Sequence, residues 1–312
     1  MTVVNYVSDE IVFDKNTVLT VGTYDGVHCG HQGILKQMRA LADANNGRVV
    51  VLTFHPHPQI VLQKEGREPV RLLTSIDERC EMLEAMGVDV TVIITFTREF
   101  AKTPAEVFVR DVADKIGVQQ FFVGHDHMFG RDRGGNEELL QQLSTELEFE
   151  VKTLEPLQCD GEVVSSSKIR AALVAGDIES ANAMLGRPYD LSGTVVQGDG
   201  RGRTIGFPTA NIEPVNASKL VPGNGVYVVS YEFEGRVVKG LANIGHRPTF
   251  TTHKDITIEV HFLDLDEDLY DRTITIHFHA FVRNEKKFES AEALTEQIEN
   301  DRQHAYELTV TH

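Results

Sequence analysis

Val18-Leu19-Thr20-Val21, followed at once by Gly22-Thr23-Tyr24-Asp25-Gly26-Val27-His28-Cys29-Gly30-His31, is the stretch that decides how the N-terminal half folds. The short apolar run reads as a buried strand, the glycine-rich segment as a turn, and the paired histidines as the start of a helix. Turns of this kind are natural phosphate sites, because unpaired N–H groups and the positive end of the helix dipole face the ligand. Glycine lets the backbone approach closely, and histidines one helical turn apart share a face. Taken alone, the HxGH tetrad reads equally well as a turn and cap, so the weight falls on what surrounds it.

Working outward, Val49–Phe54, Val90–Phe96, Gln119–Val123 and Phe149–Leu154 are further apolar runs of strand length. Between them Ile34–Ala44, Ile76–Met86, Pro104–Lys115 and Glu137–Glu146 carry helical spacing. Such alternation predicts an α/β domain whose parallel sheet has helices on both faces. Neither GxGxxG nor GxxxxGK[ST] occurs, which argues against a dinucleotide-binding fingerprint or a P-loop.

Three further motifs follow strands and so belong at the carboxyl edge, where open α/β sheets bind ligands. They are Thr53-Phe54-His55-Pro56-His57-Pro58, the run from Gly124-His125-Asp126-His127 to Gly135, and Ser165-Ser166-Ser167-Lys168-Ile169-Arg170. The proline-bracketed pair His55/His57 lacks a third metal ligand nearby and reads as structural, and His125/His127 read as structural or ligand-packing groups. The serine run also reads as a helix cap. Together the motifs suit nucleotidyl transfer. An anionic phosphate nucleophile needs no general base, only positioning and stabilisation of charge on the α-phosphate and departing pyrophosphate. His28 and His31 would donate to those oxygens, Ser165–Ser167 would add hydroxyl and N–H donors, Arg170 would clamp the pyrophosphate, and Asp126 would hold a sugar hydroxyl or part of the nucleotide.

After about Leu185 the pattern changes to period two in Thr194–Gln197, Val226–Phe233, Val237–Ala242, Thr257–Leu263 and Thr273–Ala280, with a closing helical stretch at Ala291–Leu308. This predicts an antiparallel barrel or sandwich and a division into residues 1–185 and 186–312. Gly198-Asp199-Gly200-Arg201-Gly202-Arg203 is a glycine-arginine loop suited to wrapping phosphates, and equally to being a mobile basic hairpin. Thr209 and Asn211 in Pro208-Thr209-Ala210-Asn211 would point the same way in an extended segment, offering hard oxygen ligands for Mg²⁺. Glu259 shares a strand face with Thr257 and His261; a solvated face explains that, and so does a base that takes the proton of a substrate hydroxyl.

Composition narrows the class. The 312 residues hold 47 Asp and Glu against 30 Lys and Arg, a formal charge of −17, which disfavours nucleic acid and anionic membranes as partners. The 3 cysteines (Cys29, Cys80, Cys159) are scattered, no signal-type or membrane-spanning apolar run occurs, and a cytoplasmic monomer or weak homo-oligomer is expected.

The motifs GTYDGVHCGH, TFHPHP, GHDHMFGRDRGG, SSSKIR and GDGRGRTIGFPTANI, with Asn243–Phe250, Glu259-Val260-His261 and Arg283–Phe288, cover the whole chain in order. In this it resembles the bifunctional prokaryotic riboflavin kinase/FMN adenylyltransferase family. The resemblance implies a Rossmann-like HxGH nucleotidyltransferase domain and a six-stranded antiparallel riboflavin kinase barrel. It implies ATP, riboflavin and FMN as substrates with Mg²⁺ as cofactor. The matching catalytic positions are His28, His31, Arg170 and Glu259, and those for Mg²⁺ are Thr209 and Asn211. The expected binding set adds Gly22, Tyr24, Asp25, Gly26, His57, Gly124, Asp126, Ser165, Ser166, Ser167, Gly200, Arg201, Gly202, Arg203 and Arg283. Tyr24, His127 and Ser167 depart from the family's usual Phe, Phe and Thr, and none removes a group that carries chemistry. Loss of one of the two activities, another HxGH transferase fused to a barrel, and a non-catalytic flavin binder are the competing readings.

Overall fold

Six parallel strands form the sheet of the N-terminal unit: β1 (Thr2–Asn5), β2 (Thr17–Val21), β3 (Arg48–His55), β4 (Val90–Thr95), β5 (Gln120–Gly124) and β6 (Glu150–Leu154). Their order is β1-β4-β3-β2-β5-β6. The structure, a computed structural model, describes residues 1–63, 65–66, 68–124, 129–131, 134–154, 158–159, 162–198, 202, 206–246 and 256–310. It falls into two compact units, Met1–Ser166 and Ser167–His312.

Alternation along the strands explains the layering. Leu19, Val50, Leu52, Phe121 and Val123 pack on one face with Phe108, Val109, Val112 and Leu140, while Val18, Val49, Val51 and Phe122 pack on the other with Leu35, Met38 and Leu83. The helices supplying those partners are α1 (Cys29–Ala44), α3 (Ile76–Ala85), α4 (Ala105–Ile116) and α5 (Glu137–Leu147); a short α2 (Pro58–Val61) follows β3. In α4 the buried positions 105, 108, 109, 112 and 116 trace a helical stripe. The parallel sheet covered on both faces is therefore as the sequence predicts. Strand β1 was not expected: four residues among polar neighbours give no run long enough to read, and pairing with β4 alone makes it an edge strand. A small ribbon, β7 (Gln158–Cys159) with β8 (Glu162–Val163), precedes α6 (Ser166–Ala175).

In the second unit, α7 (Ile178–Leu185) leads into β9 (Tyr189–Val196), β10 (Ala210–Pro214), β11 (Gly225–Phe233), β12 (Arg236–His246), β13 (Ile256–Phe262) and β14 (Thr273–Arg283). These close a barrel in the order β10-β13-β12-β11-β14-β9, every pair antiparallel. Glu234 and Gly235, with φ of 51° and 77°, make the tight turn joining β11 to β12. Tyr227, Val229, Ala242, Ile244, Ile258, Val260, Ile276 and Phe278 are buried inside. On the outer face α8 (Ala291–Glu307) sets Ala305 against Val226, Val228, Leu241 and Ala280.

Candidate active sites

In the first unit the chain runs from β2 outward through β3 and β4, then returns to β2's other side as β5. Loops after β2 and β5 thus flank the point where strand order reverses, the crevice in which such sheets hold ligands. The segment after β2 is strained: Tyr24, Gly26 and Val27 have φ of 49°, 87° and 39°. Left-handed backbone outside glycine costs about 1–3 kcal/mol and persists only where its surroundings over-determine it.

Those surroundings are on view. The Asp25 carboxylate is fully buried and accepts hydrogen bonds from Leu73 N (3.1 Å), Thr74 N (3.0 Å) and Thr74 Oγ1 (3.1 Å). Gly26 N donates to Thr74 Oγ1 (3.1 Å), Thr53 Oγ1 donates to the Thr23 carbonyl (3.0 Å), and the Tyr24 hydroxyl donates to Thr20 Oγ1 (3.0 Å). Ser166 Oγ, at the first turn of α6, donates to the Asp25 carbonyl (2.9 Å). Arg79, with 1% of its surface exposed, donates to Thr53 Oγ1 (3.1 Å) and the Phe54 carbonyl (3.3 Å) and lies 3.9 Å from Asp25. Thr53 opens the motif after β3, whereas Thr74 and Arg79 are supporting residues outside every motif. Arg79 sits four residues before Leu83 on the buried stripe of α3, a local sign that its charge is turned inward.

On this base His28 caps α1. Its Nδ1 accepts from His31 N (3.4 Å), and its ring stacks on that of His31 with centroids 3.7 Å apart. A Cβ at Gly30 would stand 3.2 Å from the His28 ring, so glycine makes room for the imidazole. Burial pushes the His28 pKa down to about 4, leaving the ring neutral at pH 7. With Nδ1 accepting, the proton sits on Nε2, a donor available to a phosphate oxygen. The Tyr24 ring lies 4.7 Å from that of His31. His57 caps α2, its Nδ1 accepting from Gln59 N (3.1 Å), and Gly124 ends β5. Arg170 stands one turn beyond Ser166 in α6, and Ser165 and Ser167 flank that helix start.

The barrel brings a second set of candidate residues together by register. Asn211 on β10 lies directly opposite Glu259 on β13, and Glu259 directly opposite Asn243 on β12. Directly opposed residues share a face, so the three polar side chains form one row on the outer surface, while Ile258 and Val260 point inward. Arg283 belongs to the same outer surface; its Nε and Nη2 donate to Asp301 Oδ2 of α8 at 2.9 and 2.8 Å. The glycine-rich segment crosses closely here. A Cβ at Gly198 would fall 2.0 Å from the Asn211 amide, and one at Gly202 would fall 2.2 Å from the Phe207 carbonyl oxygen and 3.4 Å from the Thr209 methyl. Among the described residues no group of three or more His, Cys, Asp or Glu could hold a metal. What the Gly198 cradle leaves beside Glu259 is an uncharged amide, and Thr209 adds a hydroxyl. That donor set fits Mg²⁺ bound chiefly through substrate phosphates and water. Asp126, Gly200, Arg201 and Arg203, with His125, His127 and the Arg247–Phe250 part of the motif after β12, lie outside the described residues.

A histidine-capped loop at the switch point of a parallel sheet, joined in one chain to a barrel with a carboxylate between two asparagines, defines a two-domain transferase that handles nucleotide phosphates. The family model for FAD synthetase matches residues 11–168 and that for riboflavin kinase residues 185–309. The bifunctional riboflavin kinase/FMN adenylyltransferase of Listeria monocytogenes is 37% identical over 290 residues, 93% of this chain and 91% of its own length. That of Escherichia coli K12 is 38% identical over 290 residues, 92% of this chain and 91% of its own. The chain belongs to the bifunctional riboflavin kinase/FMN adenylyltransferase family. A crystal structure of a Streptococcus pneumoniae protein described as a macrolide-efflux protein, 27% identical, matches 99% of this chain and 100% of its own with a TM-score of 0.90. Among the described residues of the present chain no helix is long and apolar enough to cross a membrane.

Proposed function

We propose that residues 186–312 phosphorylate riboflavin and residues 1–185 adenylylate the product. In the barrel, the riboflavin hydroxyl oxygen attacks the γ-phosphorus of ATP, the bond to the β–γ bridging oxygen breaks, and FMN and ADP result. A neutral alcohol needs a residue to orient it and take its proton, and Glu259 does so. The observation that carries this reading is the register that places Glu259 between Asn211 and Asn243 on one face. Thr209 and Asn211 would hold Mg²⁺, which supplies charge neutralisation at the phosphates when bound. The glycine-arginine loop, with Gly200, Arg201, Gly202 and Arg203, contacts the nucleotide, and Arg283 lines the surface on which the flavin lies.

In residues 1–185 an FMN phosphate oxygen attacks the α-phosphorus of a second ATP and pyrophosphate leaves. The nucleophile is already anionic, so His28 acts as a neutral donor rather than a base, which its burial favours. His31 and the serines at the start of α6 add donors, and Arg170 clamps the pyrophosphate. Asp25 serves binding indirectly, by fastening the loop to Leu73–Thr74. The scattered positions of Cys29, Cys80 and Cys159 along the sequence suit a reducing cytoplasm. The test is chromatographic, with the purified full chain, riboflavin, ATP and Mg²⁺. His28→Ala should stop FAD formation and spare FMN; Glu259→Gln should stop FMN formation and spare FAD made from added FMN. Loss of both activities in either folded variant would refute the division of labour.

A further inference from the structure

The ladder between β10 and β13 begins only at Ala210 with Val260 and Asn211 with Glu259. The residues just before it, Phe207-Pro208-Thr209, are outside the ladder, and Pro208 has no N–H with which to extend it. A side chain takes over there. His261 Nδ1 lies 2.9 Å from the Pro208 carbonyl oxygen. A carbonyl only accepts, so that nitrogen carries the proton and donates. The His261 ring also meets the Phe207 ring edge-on, centroids 5.4 Å apart, and the Arg302 guanidinium of α8 lies 5.9 Å from the same phenyl centroid. From the other side Phe207 N donates to the Gly202 carbonyl (2.9 Å). His261 is two residues from Glu259 on the same strand face.

We propose that His261 is a positioning residue for the kinase reaction, locking Phe207–Asn211 onto β13 through the Pro208 carbonyl and so fixing Thr209 and Asn211 beside Glu259. The inference rests on the assignment of Thr209 and Asn211 to nucleotide and metal binding. It assigns the histidine no contact with substrate. Strand pairing alone anchors Asn211 but leaves Thr209 on a tether, whereas the histidine clamps the chain on the far side of Thr209.

The test uses the full chain with His261→Asn, His261→Gln and His261→Phe. Asparagine places an amide donor near the position of Nδ1; glutamine places it one bond further; phenylalanine keeps the ring packing and loses the donor. Two readouts are taken: hydrogen–deuterium exchange of the 206–213 peptide without ligands, and the kinetics of riboflavin phosphorylation. Conversion of added FMN to FAD is the internal reference. In His261→Phe the peptide should exchange faster and KM for MgATP should rise about fivefold, the effect of one neutral hydrogen bond, with a smaller fall in kcat. His261→Asn should restore both and His261→Gln should not. If phenylalanine destabilises the barrel, the two amides decide the matter. Equal exchange and KM in Asn and Gln variants overturns the inference. An Asn211→Ala variant with unchanged KM sinks the ligand assignment and the inference with it; an impaired Asn211→Ala beside His261 variants that behave as wild type sinks the inference alone.

Discussion

Replacing Asp25 by Asn exchanges one oxygen for an NH₂ group in a fully buried site beneath the histidine loop. Both carboxylate oxygens stand 3.1 Å from Leu73 N, and one also receives Thr74 N (3.0 Å) and Thr74 Oγ1 (3.1 Å). An amide offers a single oxygen, so its nitrogen meets an N–H donor head-on in either orientation. The substitution also removes the negative charge 3.9 Å from the buried Arg79 guanidinium. Breaking a buried charge pair by neutralising one partner costs about 3–5 kcal/mol. With a urea m-value of about 2 kcal/mol/M, the unfolding midpoint of the first unit should fall by about 2 M. The chain has no tryptophan, so pulsed hydrogen exchange with mass spectrometry is the suitable assay, because it reads peptides of Met1–Ser166 and Ser167–His312 separately. A midpoint shift under about 0.5 M in the first unit, or equal shifts in both, would refute the account of Asp25 as the loop's anchor.

Three other outcomes are expected. His28 has its pKa pushed down from 6.5 to about 4 by burial, so between those pH values the unfolded chain binds a proton that the folded chain does not. The first unit's stability should therefore be fully present above about pH 6.5 and fall by up to ~3 kcal/mol as pH drops to 4, and His28→Gln should flatten that slope in urea titrations at pH 7 and 5. Gly198→Ala should drive the Asn211 amide aside and lower riboflavin phosphorylation at least about tenfold while adenylylation of added FMN is unchanged; a wild-type kinase rate would show that the cradle yields. Lys239 Nζ donates to the carbonyls of Ala305 (3.1 Å), Tyr306 (3.0 Å) and Leu308 (2.6 Å), closing the C-terminus of α8. Lys239→Met should cost the barrel about 1–3 kcal/mol, read as a lower thermal midpoint of kinase activity, and an unchanged midpoint would remove the cap from the stability argument.

The sequence by itself determined the local layers. Short apolar runs alternating with helical spacing marked the strands and helices of the first unit, and the positions of the motifs after strands put them on one sheet edge. His28 was legible as a cap because a cap needs only its own helix. Glu259 was legible as facing away from Ile258 and Val260 for the same reason: side-chain alternation is a property of one strand.

Other features are properties of register and long-range pairing. Asp25 and Thr74 are 49 residues apart, Lys239 and Leu308 are 69 apart, and neither pair leaves a periodic trace. Edge strand β1 is too short to read without β4 beside it. Which asparagine would face Glu259 was equally hidden, since a one-residue slip would have turned every side chain of β13 to the opposite face. Side-chain periodicity is encoded residue by residue, but the partner across a strand is chosen by closure of the whole barrel, and that choice belongs to the tertiary structure.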